Sequence, residues 1–147
     1  MLRTTVLGGL LLAVTALTGC DTYGTKLEFK SGELYYTDKV TEAAANTLGQ
    51  FLVKKGYFND DKRVSVQLTR ENDVYQVRMV VVDDYKSVYP KSFQIMAAAI
   101  SVEVFGGKTV EIHLTDNTLE TREVIQADKT FRKVMMLLKK SKAAKEG

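Results

Sequence analysis

From Leu27 onward the chain switches between two hydrophobic periods. Leu27 and Phe29, then Leu34 and Tyr36, alternate with polar neighbours and predict an initial strand. Over Asp38 to Lys55 the apolar spacing opens to three and four residues. Val40, Ala44, Thr47, Leu48, Phe51 and Leu52 then share one face of a predicted helix, with Gly56 as its stop. Period two returns at Val64, Val66 and Leu68. The polar run Thr69-Arg70-Glu71-Asn72-Asp73 turns the chain into Tyr75, Val77, Met79 and Val81, which makes a hairpin.

The second half repeats that order. Pro90 suits a first helical position because its fixed φ is helical, and Phe93, Met96, Ala97, Ile100 and Val104 fall on one face before Gly106-Gly107. Val110, Ile112 and Leu114 alternate next, and Thr115-Asp116-Asn117 turns the chain into a strand through Leu119, Thr121 and Glu123 or the opposite-face Val124. The runs beginning at Val64 and Val110 lie 46 residues apart. The expected fold is α+β: an antiparallel sheet packed against two helices, in β-αββ-αββ order with an internal αββ pseudo-repeat, plus a C-terminal helix. Leu48, Phe51, Met96 and Ile100 are expected to pack on Val66, Leu68, Ile112 and Leu114.

The C-terminal segment is a basic amphipathic helix. Phe131, Val134, Met135 and Leu138 form an i, i+3, i+4, i+7 stripe among Lys129, Arg132, Lys133, Lys139, Lys140, Lys142 and Lys145, with Asp128 as the expected N-cap. The favoured expectation is that this stripe packs over the exposed sheet face, with residues 139–147 fraying. Lying on anionic headgroups or binding a partner are the alternatives, with Phe131, Lys133, Leu138, Lys139 and Lys140 as candidate contacts.

The first twenty residues carry a different signal. Arg3 precedes an apolar stretch, Val6 to Leu17, of secretory-signal length and too short to span a bilayer comfortably; Leu17-Thr18-Gly19-Cys20 follows. This resembles the lipobox of bacterial lipoprotein precursors. The resemblance implies cleavage before Cys20, a thioether-linked diacylglycerol on its sulfur and an added acyl chain such as palmitate, at about 0.8 kcal/mol per buried methylene. The signal implies the extracytoplasmic side of the membrane, and Asp21 resembles an inner-membrane retention signal, so the periplasmic face of the inner membrane is expected in a diderm. The division is residues 1–19 signal peptide, 20–26 lipidated cysteine and short tether, 27–127 α+β domain, and 128–147 basic helix and tail.

Composition narrows the function. Residues 20–147 hold 20 basic and 18 acidic side chains, a balance that implies no nucleic-acid partner. Cys20 is the sole cysteine, so no internal disulfide forms. No metalloprotease, nucleophile-elbow, Walker or dinucleotide motif occurs, and no cofactor is expected. The single histidine, His113, falls between Ile112 and Leu114 and should face outward beside Glu111, with Asp116 in the next turn. Asp60-Asp61 and Asp83-Asp84 read as turn acids. Among the tyrosines, Tyr75 belongs to a core alternation, while Tyr85 and Tyr89 flank a loop and are candidate partner contacts.

The resulting expectation is a non-enzymatic, lipid-anchored cell-envelope protein acting as an interaction or structural module with an envelope protein partner. A small hydrolase or cation-dependent enzyme using loop carboxylates, and a membrane-surface binding module, are the alternatives.

Overall fold

A computed structural model of the chain describes residues 23–82 and 90–147. The elements are β1 (Thr25–Phe29), β2 (Gly32–Tyr36), α1 (Glu42–Lys54), β3 (Val64–Glu71), β4 (Val74–Val80), α2 (Pro90–Ala99) running into a π-helical turn (Ile100–Val104), β5 (Val110–Thr115), β6 (Thr121–Gln126) and α3 (Lys129–Lys145). The strands lie in chain order in one sheet. Each hairpin is antiparallel, whereas β2 meets β3 and β4 meets β5 in parallel.

The architecture is therefore α+β, made of three ββα units. Two details differ from the sequence reading. The initial strand is a hairpin, turned at Lys30 (φ 55). The sheet is mixed, because a single helix laid on the sheet returns the chain to the end where the preceding strand began, so the next strand runs parallel to it.

Local chemistry sets the helix limits. Thr41 accepts a hydrogen bond from the Ala44 amide at 3.2 Å and starts α1 four residues after Asp38. Asn72 and Asp73 both take positive φ, 47° and 64°, giving β3–β4 a hairpin turn that matches strand twist. The α2 helix widens where the Phe105 amide reaches back to Ile100 at 3.2 Å. Phe105 then stacks on Tyr75, ring centroids 3.9 Å apart.

Leu34, Leu48, Leu52, Phe58, Val66, Leu68, Val77, Met79, Ile100, Ile112 and Leu114 are fully buried between sheet and helices. Phe51 is buried too, and Met96 packs on the rim of this core.

The favoured placement of the C-terminal helix is overturned. Capped by Asp128, which accepts from the Phe131 amide at 2.7 Å, α3 stays helical through Lys145 and packs on α2 and the π-helical turn, not over the bare sheet face. As the helix of a third ββα unit it follows its hairpin to the same side as α1 and α2, since the strand twist that selects one crossover hand acts on every unit.

Candidate functional site

With the helices gathered on one side, the other face of the sheet carries the alternate, polar residues. One row crosses it in register: Lys26, Tyr35, Gln67, Arg78, His113 and Val124. His113 faces outward as the alternation requires, yet it is only 7% exposed. Its neighbours enclose it: Nε2 lies 3.2 Å from Glu111 Oε2 and Nδ1 3.1 Å from Thr121 Oγ1. The Arg78 guanidinium donates to Gln76 Oε1 at 3.4 Å, and its buried Nε has no hydrogen-bond partner among the described residues. Asp116 stays with its own turn, accepting from the Thr118 hydroxyl at 2.6 Å and from the Thr118 amide at 2.9 Å. The Thr118 hydroxyl is the main cause of its lowered pKa.

Glu33 is the charge hub of this face. It pairs with Arg63 and with Lys26 (3.5 Å) and accepts from the Tyr35 hydroxyl at 3.2 Å and Ser65 at 3.4 Å. The Arg63 hydrogen bond, above all, holds its carboxyl below the usual range.

The chain enters its first strand across this same face. Gly24, at φ 95°, turns the backbone against β2, where a Cβ would stand 2.2 Å from the Tyr36 carbonyl oxygen. Tyr23 is thereby laid over the sheet, its carbonyl accepting from Gln67 Nε2 at 2.9 Å and its ring edge-on to Tyr35 with centroids 5.9 Å apart. Beside it a groove of about 680 Å³ is lined by Tyr23, Tyr35, Arg63, Val80, Leu119 and Arg122, among others. The sequence reading missed Tyr23; its only local signal was the glycine that follows it.

A second surface lies on α3. Met135 and Met136 turn inward, Met136 against Gly107, and Lys139 donates to the Val102 carbonyl at 3.0 Å. Val134, Leu137 and Leu138 are left outside at 46%, 58% and 65% exposure. The buried side is rotated from the stripe inferred from spacing, so Val134 and Leu138 of that stripe are exposed beside Leu137. Of the expected contacts, Lys133, Leu138 and Lys140 are exposed, Phe131 borders a groove with Ile95, and Lys139 fastens the helix. The helix has seven basic and no acidic residues, against 13 basic and 17 acidic in residues 20–128.

Cys20, Asp21, Asp83, Asp84, Tyr85 and Tyr89 lie outside the described residues. Asp60 pairs with Lys30 at 3.4 Å. Among the described residues no group of three or more His, Cys, Asp or Glu side chains is placed to hold a metal ion, and no helix is long and apolar enough to cross a membrane.

The family model AF_1994_N, a family N-terminal domain, matches residues 26–129. The chain belongs to the AF_1994_N family. No curated protein and no solved structure matches it. The AF_1994_N match runs from the second residue of β1 through the other five strands and both helices that cover them, and it stops where α3 begins.

Proposed function

We propose that this AF_1994_N family member is a non-enzymatic, lipid-anchored protein of the cell envelope whose domain works as an interaction module, attached through Cys20 on the extracytoplasmic side of the membrane. The lipobox-like Leu17-Thr18-Gly19-Cys20 supports the anchor. The outer side of α3 supports the interaction role. A helix that buries no residue completely yet exposes Val134, Leu137 and Leu138 among lysines owes that composition to something other than the core.

The anchor is tested with Cys20→Ser followed by mass analysis and membrane fractionation. Loss of acylation and of membrane retention is expected, and a normally acylated, retained variant would overturn it. The contact role is tested by photo-crosslinking in cells from a reactive side chain at Leu137 and, for comparison, at exposed Gln50 on α1. A defined protein adduct at Leu137 that disappears on Lys133→Glu with Lys140→Glu is expected; equal, charge-independent labelling at both positions would reject the surface.

A further inference from the structure

Resting on the lipid anchor at Cys20, we infer that the bare face of the sheet is the side apposed to the phospholipid headgroups, and that α3 is held away from the bilayer. The direction in which the chain leaves the domain carries this. β3 is the third strand from the edge, and the Tyr23 carbonyl is bound to Gln67 on that strand. The backbone therefore departs over this face of the sheet, beside β2, and not from the helix side.

Gly24 enforces the departure, because the φ of 95° and the 2.2 Å separation between a Cβ and the Tyr36 oxygen leave no room for another residue. Only Asp21 and Thr22 stand between Tyr23 and Cys20. Three residue steps reach at most about 11 Å. The anchored sulfur cannot pass from this face around the sheet edge and through the helix layer within that length. α3 packs on α2 and the π-helical turn, on the helix side, so the sheet stands between it and the tether.

The chemistry of the face agrees with a headgroup layer and not with hydrocarbon. Tyr23 and Tyr35 present amphipathic rings of the kind that favour the interface. Lys62 lines the adjoining groove and offers a cation to phosphates, beside Arg63 and Arg122, which sit against Glu33 and Asp116, and these acids with Glu111 keep the surface too polar to sink deeper. On the opposite side, Leu137 and Leu138 point into the aqueous compartment, where a protein partner can reach them.

The absence of tryptophan and the single cysteine make the orientation measurable. Residues 20–147 are coupled through the Cys20 thiol to a maleimide lipid in vesicles of phosphatidylcholine and phosphatidylglycerol carrying a headgroup spin label. Val124→Trp reports from the bare face and Leu137→Trp from α3, both at exposed positions. Severalfold stronger quenching of the Val124→Trp protein is expected, and Gln67→Leu, which frees the Tyr23 carbonyl, should narrow the difference. Equal quenching, or stronger quenching for Leu137→Trp, would overturn the orientation. Chemical coupling supplies the anchor whether or not cells acylate Cys20, so that outcome is separate from failure of the lipidation test.

Discussion

The Phe29 ring fills the space that a side chain on Gly49 would need: a Cβ there would lie 2.2 Å from the ring carbons. The ring has little freedom to retreat, because it stacks on Phe58 with centroids 6.1 Å apart, and Phe58 in turn rests against Gly32, where a Cβ would also come within 2.2 Å. Two glycines thus bracket two rings and lock β1 and β2 under α1.

Gly49→Ala would gain about 1 kcal/mol of helix propensity. The overpacking it forces costs about 1–3 kcal/mol, so a net loss of stability is expected in urea unfolding. Phe29→Leu should make the alanine nearly harmless. A Gly49→Ala protein more stable than its parent would remove the contact from the account.

Phe51 and His113 separate core from face. Phe51→Ala should cost about 3–5 kcal/mol by opening a cavity under α1. His113→Ala loses two side-chain hydrogen bonds without a core void, about 1–2 kcal/mol. Denaturant midpoints of both variants in one background check the order, and a larger loss at His113 would reverse it.

The Glu33 network should show itself as a function of pH. Its folded-state pKa is depressed, so its stabilisation is fully present above the ordinary carboxyl range and is lost as pH falls through the lowered folded value. At neutral pH, Glu33→Gln should cost only about 1 kcal/mol, since its partner Arg63 is largely solvated. The gap between the two proteins should close on acidification from pH 7 toward the acid limit. A gap that widens instead would contradict the assignment.

The two helix caps should differ in reach. Thr41→Ala removes the cap of a core helix and should lower global stability by about 1 kcal/mol. Asp128→Ala removes the cap of α3, which buries no residue completely, so amides of residues 131–145 should exchange faster while the core amides keep their protection. Equal loss of protection in the core would show that α3 is integral to it.

Much of the fold was legible along the chain. The two hydrophobic periods, the cap at Asp128 and the stops at Gly56 and Gly106-Gly107 are local effects, and they specified the helices, four of the six strands and the buried side of α1, α2, β3, β4 and β5. Even the first hairpin left a trace: Leu27 and Phe29 are odd, Leu34 and Tyr36 even, and all four face the core, which one uninterrupted strand cannot achieve. The tertiary structure alone decided the rest. Periodicity says that a helix has a covered side but not what covers it, so α3 came to rest on α2 with its covered side rotated, Met136 turned in and Val134 and Leu138 left outside. Alternation pointed His113 outward, but only the meeting of β5 with β6 brought Thr121 to its ring. The crossing of Tyr23 over Gln67 joins residues 44 apart in sequence, and no local pattern encodes a contact made by strands that pair only after the chain has folded back.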